Sequence, residues 1–235
     1  MSKKTLSTET NNPSVNAFLQ KVAATKSIKP ASKRGRLLFA MDATASREPT
    51  WDNACHIQAE MFDASNSLGG LEVQLCYFRG FNEFDHSKWL NEASVLRQQM
   101  TSVSCLGGHT QIGRVLQHAI TQTKQSRINA IVYVGDCCEE NIDDIAHLAG
   151  QLGVLSVPIF VFQEGHNPHA EQVFRHMAKL SQGAYCHFDS GSAQQLRELL
   201  GAVAVYAAGG RKALENYSQQ HGGSLLQLTH QLAEK

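Results

Sequence analysis

The sequence predicts an α/β fold: a doubly wound, mostly parallel six-stranded sheet with helices on both faces and one antiparallel edge strand. Three observations carry this expectation. The runs LLFAM (37–41), INAIVYVG (128–135) and VPIFVF (157–162) are almost continuously apolar, as strands covered on both faces are. Segments with apolar residues at helical spacing lie between the strands. Alternation of the two implies parallel pairing through right-handed crossovers.

The elements follow in order. Residues 12–25 open on Asn12 and Pro13 and place Val15, Phe18, Leu19 and Val22 at helical spacing, which predicts a short amphipathic helix. Lys26 to Arg36 then holds five basic residues and Pro30, a linker whose charges are solvated by default. After the first strand a helix is expected from about Thr50 to Ser67, closed by Gly69 and Gly70. EVQLCYF (72–78) reads as a strand, and RGFNEFDHSKWL (79–90) as a turn and an antiparallel edge strand. NEASVLRQQM (91–100) is a helix and SCLGGH (104–109) a loop. Ile112, Val115, Leu116, Ala119 and Ile120 recur at i, i+3, i+4, i+7 and i+8 and define the next helix. After the fourth strand, NIDDIAHLAGQLG (141–153) is a helix stopped by Gly153, and PHAEQVFRHMAKLSQ (168–182) a helix with Pro168 near its start. AYCHF (184–188) is the last strand and SAQQLRELLGAVAVYAA (192–208) the closing helix. Leu225, Leu226, Leu228 and Leu232 then suggest a short helix docking on the domain. The expected organisation is an N-terminal tail with a short helix and basic linker (1–34), one domain (35–208) and a C-terminal, helical tail (209–235).

With 235 residues and 42% apolar content, the chain can bury one sizeable core. Its 21 basic and 21 acidic residues cancel, so no global field recruits nucleic acid or an anionic membrane. MSKKTLSTETNN is charged and polar where a secretory signal is apolar, and no apolar run approaches the roughly 20 residues that span a bilayer. A soluble, cytoplasmic protein is expected. The six cysteines form no CxxC pair, and several sit in apolar strands, where reduced cysteine serves as a small hydrophobe.

Five oxygen-bearing side chains stand at element boundaries: Asp42, Thr44 and Ser46 in MDATAS, Thr110 in LGGHT and Asp136 in YVGD. In open α/β sheets, ligands sit beyond the carboxyl ends of strands where strand order reverses. If the first and fourth strands are neighbours there, Asp42 and Asp136 face each other across the crevice, and Thr110 reaches the same rim from its glycine loop. Two carboxylates and three hydroxyls suit magnesium, which takes six oxygens at about 2.1 Å and keeps much of its water. Taken singly, each residue also has a plainer account as a helix cap: Ser46 or Thr50 for the first helix, Thr110 for the helix near Gln111, Asp136 for the helix after it.

The order D-A-T-A-S, G-G-H-T and V-G-D, in matching strand and helix context over residues 35–208, resembles the metal-ion-dependent adhesion site (MIDAS) of von Willebrand factor A (VWA) domains. That family carries D-x-S-x-S after its first strand; here Thr44 replaces the first serine and keeps a hydroxyl oxygen. The resemblance implies a VWA-like, Rossmann-type fold and a Mg2+ (or Mn2+ or Ca2+) site. Thr44, Ser46 and Thr110 would be direct ligands, and Asp42 and Asp136 would act largely through water. It also implies no catalysis: an Asp or Glu of a partner protein would fill the vacant position, with Gly107, Gly108, His109, Cys137, Cys138 and Glu139 as the surrounding rim.

Other chemistries stay open at lower weight. Cys105, His109, Cys137 and Cys138 are a conceivable zinc set or redox-sensitive thiol group, although the spacing matches no recognised zinc pattern. His166 and His169 lie in the loop after the fifth strand and read first as surface histidines. A haloacid-dehalogenase-like phosphotransferase needs a second aspartate where Thr44 stands, and the loop after the first strand lacks the dinucleotide G-x-G-x-x-G pattern. An assembly subunit with a non-functional metal site is the remaining alternative.

Overall fold

A computed structural model describes residues 17, 18, 20–22, 34–65, 70–188 and 193–221. Among them are six strands: β1 (Gly35–Asp42), β2 (Leu71–Arg79), β3 (Glu83–His86), β4 (Ala130–Gly135), β5 (Ile159–Glu164) and β6 (Ala184–Phe188). The helices are α1 (Glu48–Ile57), α2 (Ala59–Ser65), α3 (Ala93–Thr101), α4 (Ile112–Gln125), α5 (Ile142–Val154), α6 (Pro168–Leu180) and α7 (Ala193–His221). The strands form one sheet in the order β3-β2-β1-β4-β5-β6, all parallel except β3.

The sheet separates two apolar layers. β1 and β4 are central, and every residue of β4 is buried, as expected where helices cover both faces. On one face Leu37, Phe39 and Met41 of β1 pack with α1, α2 and α7. On the other, Leu38 and Ala40 pack with α4, α5 and α6. The five residues whose spacing predicted α4 are its buried face. Asn141 and Asn167 cap α5 and α6 by accepting main-chain N–H bonds, and Pro168 opens α6.

One element differs from the sequence expectation, and two others show how the chain ends meet the domain. The helix expected over about 50–67 is two helices, α1 and α2, separated at Gln58. The closing helix expected to 208 breaks at Gly210, whose φ of 73° and ψ of −168° leave the helical path at a position where glycine adopts positive φ without strain, and the second part of α7 continues helically to His221, as expected of the tail. Phe18 and Val22, in the helical residues near the N-terminus, are buried in the first core layer, and the Phe18 ring meets Phe160 and Phe162 edge-on at 6.1 and 5.2 Å. Val15, Leu19, most of the basic linker and the leucines at 225–232 lie outside the described residues. No helix among the described residues is long and apolar enough to cross a membrane.

The connections place the switch point. From β1 the chain builds outward through β2 to β3, then returns to the other side of β1 as β4 and continues outward through β5 to β6. The crevice at the carboxyl ends therefore opens between β1 and β4. If Phe18 belongs to the domain core, Phe18→Ala should cost about 3–5 kcal/mol in urea denaturation. A loss under about 0.5 kcal/mol, as for an exposed residue, would show that the N-terminal segment is detachable.

Candidate functional site

Asp42 ends β1, and Asp136 follows the last residue of β4. After Asp42 the chain turns sharply: Thr44 N–H donates to Asp42 Oδ1 at 2.7 Å, and Ala45–Arg47 make a single 3-10 turn. The turn brings Thr44 Oγ1 within 3.4 Å of Ser46 Oγ, and Ser46 Oγ donates to Asp136 Oδ2 at 2.9 Å. Four of the five expected oxygens are thus joined. Thr110 arrives on a loop laid against the first two strands, with Leu106 N–H donating to Ala43 O (3.0 Å) and His109 N–H to Gly80 O (3.1 Å). A Cβ on Gly108 would sit 1.9 Å from the Gly80 carbonyl oxygen, so only glycine allows that approach. Thr110 is buried; its N–H donates to Glu139 Oε2, and its Oγ1 accepts from Glu139 N–H, both at 3.0 Å. It is therefore tied to the loop that begins with Asp136.

None of the five acts as a helix cap. Thr44, Arg47 and Gln111 occupy the cap positions of the 3-10 turn, α1 and α4, and make no side-chain cap bond. Thr50 donates its hydroxyl to Glu164. The first N–H groups of α4 go instead to Glu140, which accepts from Ile112 and, at 2.8 Å, from Gly113. The ordinary reason for finding serine, threonine and aspartate at these boundaries is absent here.

The electrostatics are those of a site short of positive charge. Asp42 is 1% exposed, and its Oδ2 has no hydrogen-bond partner. Burial raises its pKa to about 6; Asp136 adds to the rise, while Thr44 and Arg47 oppose it. Arg47 is equally buried, pairs through Nη1 with Glu164, and leaves Nε and Nη2 unpartnered. Burial lowers the Arg47 pKa, and Asp136 and Asp42 counter that effect. Asp42, Asp136 and Glu164 against one guanidinium leave two negative charges in excess, the charge of a divalent cation. Carboxylates and hydroxyls are hard oxygen donors, and an orphaned carboxylate oxygen lies among them, so the residues fit such an ion. Beside them opens a cleft of about 370 Å3 lined by Ser46, Arg47, Asp136, Glu164, His166 and His187, whose two imidazoles stack 4.5 Å apart.

The soft-ligand alternative is not assembled. Among the described residues no group of three or more His, Cys, Asp and Glu side chains is placed to hold a metal. Burial pushes the Cys105 and Cys137 thiols up to about 11 and about 12 and raises that of Cys138, so they stay protonated and poorly nucleophilic. His109 Nδ1 lies 3.1 Å from Glu139 Oε2. Of the expected rim, Gly107, His109 and Glu139 are exposed and Gly108 and Cys137 partly so, whereas Cys138 is buried in the second core layer.

No family model and no curated protein matches the sequence. Solved structures match in three dimensions. A von Willebrand factor type A protein from Catenulispora acidiphila superimposes with a TM-score of 0.61 at 15% identity, over 74% of this chain and 43% of that one. The SpRpn10 VWA domain does so with 0.55 at 16% identity, over 71% of this chain and 94% of that one. Proximal thread matrix protein 1 from the mussel byssus, with a zinc-occupied MIDAS motif, gives 0.61 at 12% identity, over 76% and 48%. The fold is that of a VWA domain. The chain spans less than half the length of the first and third of these proteins.

Sequence reasoning about the candidate site missed Arg47, Glu140 and Glu164. Arg47 carries no distinguishing signal in A-S-R; its partly buried partner Glu164 lies on β5 and is found only by folding. Glu140 was detectable in principle as an acidic residue near a helix start, but the helix it caps is the preceding one.

The Asp42 shift has a definite sign. Its folded pKa of about 6 exceeds the ordinary 3.8, so its stabilising contribution is complete below about pH 4 and is lost as pH rises through 6. Across that window the metal-free protein should lose roughly 3 kcal/mol. Asp42→Asn keeps the acceptor for Thr44 N–H and removes the charge. In chelator it should melt higher than wild type at pH 7.5, with the difference vanishing near pH 4; equal melting curves at pH 7.5 would exclude a buried charge at this position.

Proposed function

We propose that this VWA-fold chain is a divalent-cation-dependent protein-binding module, in which Asp42, Thr44, Ser46, Thr110 and Asp136 hold the ion and an Asp or Glu of a partner protein completes its shell. The observation that carries this reading is the bonded cluster of Asp42, Thr44, Ser46 and Asp136, with Asp42 Oδ2 unpartnered and none of the group spent on capping. Ser46, Thr44 and Thr110 are the direct hydroxyl ligands, and Asp42 and Asp136 act largely through bound water. Mg2+ suits this balance of few carboxylates and several neutral oxygens, with Mn2+ or Ca2+ as substitutes. The bound ion supplies the positive charge that attracts a partner carboxylate to an otherwise acidic rim.

The neighbour with a zinc-occupied MIDAS motif supports a cation in this fold. The exposed residues Gly107, His109 and Glu139 are the rim we assign to receive that carboxylate. We read the chain as non-enzymatic, because Thr44 offers no carboxylic acid to protonate a leaving group. Residues 35–208 are the module, with residues 1–34 and 209–235 as flanks that dock through Phe18, Val22 and Leu214. A cytoplasmic setting agrees with six cysteines that form no disulfide. Arg47 favours one second reading, an assembly subunit in which that guanidinium offsets part of the site's negative charge and no ion binds.

Magnesium titration separates the two. In the first case, the melting point and Trp51 fluorescence should shift saturably with Mg2+, reaching about 2.7 kcal/mol of stabilisation at a hundredfold excess over Kd. Asp136→Asn and Ser46→Ala should each weaken the response at least tenfold. An unresponsive wild-type protein across Mg2+, Mn2+ and Ca2+ would favour the assembly subunit. In lysate, partner retention should need Mg2+, disappear in chelator, and be competed by peptides containing Asp or Glu.

A further inference from the structure

Tyr133 stands beneath the cation site. In the parallel register Ala40 of β1 lies beside Tyr133 of β4 and Met41 beside Val134; the next step sets Asp42 beside Gly135. Side chains two apart on a strand share a face, so Asp42 projects to the same side as Ala40, the side where Tyr133 is packed. The phenol runs up the strand: a Cβ on Gly135 would lie 2.6 Å from Tyr133 Oη, which places the hydroxyl at the level of Gly135. Adjacent strands are about 4.8 Å apart. Tyr133 is fully buried, and its hydroxyl has no hydrogen-bond partner. The ring is fixed between Phe78, stacked at 6.5 Å, and Phe174, edge-on at 5.4 Å, so the hydroxyl stays under the site.

Two buried polar atoms, Tyr133 Oη and Asp42 Oδ2, are therefore orphaned on the same face of neighbouring strands. A phenol can donate and an ionised carboxylate can only accept. We infer that Tyr133 is a positioning residue of the cation site: when the ion binds, its hydroxyl donates to Asp42 Oδ2 and holds that carboxylate aimed at the ion. The inference rests on the proposed cation-binding function. It also accounts for Gly135, since any larger residue there would push on the hydroxyl.

Tyr133→Phe keeps the ring and removes only Oη. Calorimetric Mg2+ titration of the full chain at pH 7.5 should show affinity reduced at least tenfold, the range for losing a hydrogen bond behind a metal ligand. The metal-free melting point should be unchanged or higher, because an unpartnered buried group is gone. A merely structural tyrosine would lower the melting point and leave affinity alone. Mg2+ should also produce a tyrosine difference spectrum in wild type that Tyr133→Phe lacks. Wild-type affinity in Tyr133→Phe overturns the inference while leaving the cation site standing. No Mg2+ or Mn2+ binding by wild type overturns both.

Discussion

The structure is organised around a carboxylate buried at the carboxyl end of its central strand. Asp42 is 1% exposed and faces a second carboxylate, Asp136, across the switch point. Burying a charge is costly unless it is paired, and the chain offsets this one with Thr44, through side chain and amide, and a nearby guanidinium. A carboxylate placed so, with one oxygen unpartnered, weakens the metal-free fold. That pattern is common at functional sites, where local stability is given up for binding.

The surroundings are built to hold that arrangement in place. The buried Arg47 and the partly buried Glu164 form an ion pair beside it, and Thr50 donates to the same glutamate, joining α1 to β5. Glu139 and Glu140 follow Asp136 and reach back, one to Thr110 and one to the first amides of α4. The N-terminal end of a helix attracts negative charge, so Glu140 anchors α4 to the β4 loop from 27 residues away. Three loops distant in sequence are thereby locked into one rim. Motion of Thr110 relative to Asp136 must break the Glu139 bonds.

Legibility varied with the range of the interaction. The buried face of α4, the antiparallel β3 edge and the apolar run of β4 were readable because each repeats with its own backbone period. The break at Gln58 was not, since it turns on packing against other elements and leaves helical composition on either side. At the site, Asp42, Thr44 and Ser46 were readable as one short motif. Glu140 as the cap of α4, and Cys138 as a core residue in place of a rim residue, were not.

By itself the sequence determined the fold class, the strand and helix order, and which oxygens stand at the ends of β1 and β4, because hydrophobic period and residue order are local properties. Tertiary structure alone decided that Ser46 reaches Asp136, that Arg47 is buried against Glu164, and that Tyr133 lies under Asp42. Those contacts depend on strand register and on desolvation. Both arise only when distant segments are brought together and water is excluded between them.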